Sequence, residues 1–65
     1  MQITINNKPT TTAAETLQQL ANELTLPEKG VAVAVENRMI PRDQWNNYSL
    51  QEGTHVIIIK AACGG

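Results

Sequence analysis

The sequence predicts an α+β domain: a mixed sheet of four to five strands with one main helix on one face. Three observations predict it. The chain opens on an alternating polar and apolar segment, Gln2 to Asn6. A single apolar stripe at helical spacing follows at Leu17, Leu20, Ala21 and Leu24, and two later segments, Val31 to Val35 and Val56 to Ile59, are apolar at every position. Sixty-five residues allow one domain, with stability of only about 3 to 5 kcal/mol.

The opening alternation puts Ile3 and Ile5 on one face of a strand and turns Gln2 and Thr4 away. Asn6-Asn7-Lys8-Pro9 supplies turn chemistry, because Asn tolerates positive φ. Thr10 to Ala13 returns to β-branched residues and reads as the second strand of a hairpin, although a threonine run also suits a loop. Thr16-Leu17-Gln18-Gln19 has the form of a capping box, in which hydroxyl and amide satisfy free backbone donors at a helix start. A helix of about ten residues is marginal alone, so its stripe must be held against a sheet. Pro27 and Gly30 are expected to end it.

Val31 to Val35 is either covered on both faces or carries an interaction surface. Asn37 sits at a turn, and Met39-Ile40 begins a short strand that Pro41 confines to an edge. Arg42 to Leu50 reads as a looping segment whose aromatics, Trp45 and Tyr48, cover one end of the core. Glu52-Gly53 turns the chain into the last strand, His55 to Ile59. A right-handed crossover after the hairpin brings the later strands beside the first. That order is a β-grasp arrangement.

Composition excludes several classes of function. The net charge is −1, and the basic residues Lys8, Lys29, Arg38, Arg42 and Lys60 are scattered along the chain, which argues against nucleic-acid binding. No apolar run approaches the roughly 20 residues that span a bilayer, and no charged segment precedes an apolar one at the start, so no membrane association or export is expected. One cysteine forms no internal disulfide, and one cysteine with one histidine completes no zinc site. A reducing cytoplasm fits. Without a Walker A segment or a glycine-rich loop before a helix, the chain is not expected to bind ATP productively alone. His55 has no paired nucleophile and reads as a solvated strand residue; Arg42 and Asp43 read as surface charges and Trp45 as a core or rim anchor.

Cys63-Gly64-Gly65 is the chemically informative segment. The expected division is a β-grasp domain over 1–60 and a flexible tail over 61–65 ending in Gly-Gly. Two residues without side chains form a narrow strip of backbone that can thread a tunnel and present a terminal carboxylate to another protein's active site. By composition alone a disordered end is an equal reading. Cys63 beside the carboxylate invites a persulfide or mixed-disulfide role, but a free cysteine often behaves as a small apolar residue.

The last strand supports a separate expectation. One helix covers one face of the sheet, and parity divides Val56 and Ile58 from Ile57 and Ile59. The set turned from the helix forms an apolar patch near the tail, suited to docking a partner enzyme, unless the Trp45 to Leu50 segment folds over it.

Body, length and tail together resemble the ubiquitin-like sulfur carriers, most closely the ThiS-type carriers of thiamine biosynthesis. The resemblance covers essentially the whole chain: the start Met1-Gln2-Ile3, the helix near Thr16 to Leu20, the strand Val31 to Val35 and the stretch Asn37-Arg38-Met39-Ile40-Pro41-Arg42-Asp43-Gln44-Trp45. That stretch is similar to the family's N-x-x-(hydrophobic)-(V/P)-R-x-x-W segment. The resemblance implies a co-substrate rather than an enzyme, with no cofactor of its own. An E1-like adenylating enzyme would use ATP and Mg²⁺ to adenylate Gly65, and Gly64 and Cys63 would form the recognised tail. A sulfur donor such as a cysteine desulfurase would then replace AMP to leave a thiocarboxylate for thiazole synthase. Two relatives of the reading stay open. A molybdopterin-synthase small subunit shares the tail, although a longer chain, more aromatics and a Pro-rich approach to the tail would be expected; a ubiquitin-like modifier would use the same activated glycine to acylate lysines.

Overall fold

The computed structural model describes residues 1–27 and 29–60. Five strands form one sheet in the order β2-β1-β5-β3-β4, with β1 (Gln2–Ile5), β2 (Lys8–Thr11), β3 (Val31–Val35), β4 (Arg38–Met39) and β5 (His55–Lys60). Among the described residues the one α-helix, α1 (Leu17–Glu23), crosses from the first hairpin to the second. Only β1 and β5 pair in parallel; β1–β2, β3–β5 and β3–β4 are antiparallel. This is the mixed sheet and single main helix that the sequence predicts.

Two tight hairpins set the register. Asn6 and Asn7 take φ of 52° and 69°, so two residues suffice to reverse the chain and Lys8 pairs directly with Ile5. The second strand therefore spans Lys8–Thr11 rather than Thr10 to Ala13. Pro9 fits inside it because β2 is an edge strand, and the position opposite Thr4 needs no inward N–H. Glu36 and Asn37, at 52° and 68°, repeat the turn between β3 and β4. β4 is consequently Arg38–Met39, one residue earlier than Met39-Ile40.

Thr16 caps α1 as expected: its hydroxyl accepts from the Gln19 amide at 3.2 Å. The return bond differs, since Gln19 Oε1 accepts from the Glu15 amide at 2.8 Å. The helix is 7 residues long, shorter than the stripe implies, and ends before Pro27. Thr25 adopts φ 55°, and the amides of Thr25 and Leu26 bond to the carbonyls of Asn22 and Ala21 at 3.2 and 3.0 Å. These two bonds close a Schellman cap, which places Leu24 at the helix end, 39% exposed, while Leu26 packs against the core.

The expected loop over Arg42 to Leu50 contains a 3₁₀ helix, Arg42–Asn47, that packs beside α1. Trp45 drops from it into the core, and its indole N–H donates to the Ile40 carbonyl at 2.9 Å. Arg42 is more than a surface charge. Its guanidinium lies 4.2 Å from the Trp45 ring centroid and donates to the Pro27 carbonyl at 2.8 Å. Ile3, Leu17, Val35, Trp45 and Val56 are the largest fully buried side chains, so the core sits between the sheet and the helical layer. Thr12, its buried polar member, donates to Glu23 Oε1 at 2.6 Å and accepts from the Ala14 amide at 3.0 Å.

Candidate functional site

β5 is the central strand, and its alternate side chains divide between two environments. Val56 is buried and Ile58 packs against the core beneath α1. The remaining set points the other way. Ile57 lies opposite Ala34 and Ile59 opposite Ala32, while Met39 pairs with Ala34 on the far side. Residues directly opposite one another share a face, so these five apolar side chains form a continuous patch on the helix-free side of the sheet. Ile59 is 51% exposed and Met39 61%.

The second helical layer does not cover this patch. Leu17 N–H donates to the Tyr48 carbonyl at 3.0 Å, and Thr16 bridges Ser49, holding the Arg42 to Leu50 segment beside α1. The small side chains of Ala32 and Ala34 leave Ile57 and Ile59 as the relief of the surface. At one margin, Thr4 Oγ1 and His55 Nδ1 approach to 2.6 Å. His55 also exchanges backbone contacts with Glu36, donating to its carboxylate at 3.3 Å and accepting from its amide at 3.0 Å. It belongs to a polar border.

The chain passes from Lys60 directly into the segment carrying Cys63, Gly64 and Gly65, which lies outside the described residues, as does the expected 61–65 tail. β5 is anchored on both sides as far as Ile58. On one side, β3 pairs with it from Val56 to Lys60. On the other, β1 pairs only as far as Ile5 opposite Val56, after which the Asn6 side chain takes over: its Oδ1 accepts from the Ile58 amide at 2.8 Å and its Nδ2 donates to the Ile58 carbonyl at 3.3 Å. Sequence reading marked Asn6 as a turn residue and missed this contact. The two residues are 52 positions apart.

Among the described residues, no group of three or more His, Cys, Asp and Glu side chains is placed to hold a metal, and no helix is long and apolar enough to cross a membrane. Among the described residues, one surface hollow lies between Ile5, Asn6, Leu24, Leu26, Ile58 and Lys60. What the geometry offers is an apolar face and a firmly held strand leading toward the glycines.

The mixed five-stranded sheet and its one main helix define a ubiquitin-like β-grasp protein. The ThiS family profile matches residues 3–65. The sulfur carrier protein ThiS of Escherichia coli (strain K12) is 30% identical over 66 residues, covering 100% of both chains. The crystal structure of the thiamine biosynthesis protein ThiS from Geobacter metallireducens is similar with a TM-score of 0.83 at 25% identity, again over 100% of both chains. A solution structure of a thiamine biosynthesis protein from the same organism shares the fold, with a TM-score of 0.82 at 22% identity over 100% of this chain and 88% of that one. The chain belongs to the ThiS family of sulfur carrier proteins.

Proposed function

We propose that this chain carries sulfur for thiamine biosynthesis as a thiocarboxylate on Gly65, acting as co-substrate for partner enzymes. The observation that carries the reading is the family match, which runs through residue 65 and so includes both glycines. A free α-carboxyl group, with an ordinary pKa of about 3.5, is an anion at neutral pH and a poor electrophile. Activation must therefore come from an E1-like enzyme supplied with ATP and Mg²⁺. A Gly65 carboxylate oxygen bonds to the α-phosphorus as pyrophosphate leaves. The outer sulfur of a persulfide made by a cysteine desulfurase then adds to the acyl carbon and AMP departs with its electron pair; a thiol reductant cleaves the resulting acyl disulfide, taking the other sulfur into a new disulfide, and the thiocarboxylate passes to thiazole synthase. Gly64, with Cys63 before it, forms the strip that enters the partner's active site. The chemistry suits a reducing cytoplasm, where a free thiol and a thiocarboxylate persist.

Mass spectrometry of the intact protein after incubation with the adenylating enzyme, ATP, Mg²⁺ and the sulfur donor tests this reading. The expected product has sulfur in place of one oxygen at Gly65. Conjugates to lysine side chains without that exchange would instead identify a modifier.

The open face supplies the docking surface in this proposal. Ile57 and Ile59 are its centre because they stand proud of the alanines and lead along β5 toward the tail. Ile59→Asp is expected to raise the adenylating partner's KM for this protein by at least about tenfold, since it removes apolar burial and sets a charge in the contact. The thermal midpoint should stay close to that of the unsubstituted protein, because Ile59 is already 51% exposed.

A further inference from the structure

We propose that Asn6 is a positioning residue for tail delivery: its side-chain amide clasps Ile58 and fixes the direction in which β5 hands the chain to the tail. The inference rests on the carrier reading, but the clasp is a feature of the fold. β1 supports β5 only through Ile5, then turns away at Asn6 with φ 52°. The Asn6 backbone amide donates to the Val56 carbonyl at 2.9 Å, the last main-chain bond between the two strands. Ile58 is the next β5 residue whose N–H and C=O face β1. Both find the Asn6 side chain, at 2.8 and 3.3 Å, so one amide group stands in for the missing strand residue.

This contact matters because of where it falls. Lys60, two residues further on, is the last described residue before the tail. Without the clasp, β5 beyond Val56 would be held by β3 alone, and an antiparallel pair at the end of a sheet frays. A partner binding the tail would then have to order the root as well as the tail, at an entropic cost that falls on binding. Chemistry at the bound acyl carbon would be unchanged. The expected signature is therefore a raised KM with an unaltered kcat.

Asn6→Gly tests the clasp, because glycine accepts the positive φ without strain while removing the amide. Asn7→Gly is the matched control: it changes the same turn, at φ 69°, and leaves the clasp intact. Hydrogen exchange and adenylation kinetics are measured on both variants and the unsubstituted protein. In Asn6→Gly, the Ile58 amide is expected to exchange about tenfold faster and KM to rise about tenfold, the size set by the loss of two ordinary hydrogen bonds. Asn7→Gly should leave both near the unsubstituted values. Equal KM values for the two glycine variants, with adenylation of the unsubstituted protein normal, would overturn the positioning role alone. Failure of the unsubstituted protein to be adenylated would remove the carrier reading and this inference with it. A kcat loss in Asn6→Gly with KM unchanged would also overturn it, since that places the effect in the chemical step.

Discussion

Trp45→Ala is expected to leave most of the chain unfolded at room temperature. Trp45 is 1% exposed, belongs to the cluster that includes Leu17, Leu20, Val35 and Val56, and satisfies its indole N–H on the Ile40 carbonyl at 2.9 Å. Truncating a buried Trp to Ala costs about 3 to 5 kcal/mol. A 65-residue domain has only about that much to lose. Arg42, 4.2 Å from the ring centroid, would lose its platform as well. Loss of near-ultraviolet circular dichroism, with no cooperative urea transition, is the expected readout. Trp45→Phe retains an aromatic filler without the N–H and should remain folded with a lower urea midpoint. A cooperative transition for the alanine variant near the unsubstituted midpoint would show that the core can close over the gap.

Trp45 also marks the boundary of what the sequence makes legible. Its size and apolarity predict an anchor, and it is one. The 3₁₀ helix that delivers it was not readable, because a polar segment in which Trp45 is the only buried residue carries no apolar stripe. The same limit applies to Thr25. A β-branched residue in the left-handed region is disfavoured, so its side chain gives no sign of a helix end; the cap forms because Leu26 reaches the core from the next position. Glu36 is a parallel case, since at positive φ only its neighbour Asn37 signals the turn.

The central strand was legible in part. Period-two geometry separates Val56 and Ile58 from Ile57 and Ile59 without any structure, but either set satisfies the pattern. Pairing across the sheet makes the distinction: Val33 and Val35 on β3 share a face with Ile58 and Val56, and the two alanines share the other with Ile59 and Ile57. On β3 the bulky valines therefore lie under α1 and the small alanines on the open face, where Ile57 and Ile59 stand out. Asn6 could not be linked to Ile58 from the sequence. Its local turn preference fully accounts for an asparagine at that position, and its second task depends on a parallel pairing with the far end of the chain.

Gly64→Ala and Gly65→Ala are expected to cut adenylation by about a hundredfold or more without changing the thermal midpoint. The core of the described residues is built between Ile3 and Ile58, and the proposal gives both glycines to the strip that a partner reads. In the proposed function, what changes is the fit of the strip entering a partner site. A Cβ widens the backbone and removes conformations open only to glycine, and a displacement of about 1 Å at the reacting centre is enough for a hundredfold loss. The two positions should differ in kind. Gly65→Ala places the methyl beside the acyl carbon and should act on kcat, whereas Gly64→Ala obstructs the approach and should act on KM and kcat together. Both contrast with Ile59→Asp, which alters docking of the open face and should act on KM alone. Pyrophosphate release with the adenylating enzyme, measured across a range of carrier concentrations, separates the three. Normal release from both alanine variants would mean that the glycines are not read as a narrow strip, and the carboxylate-delivery account of this tail would fall.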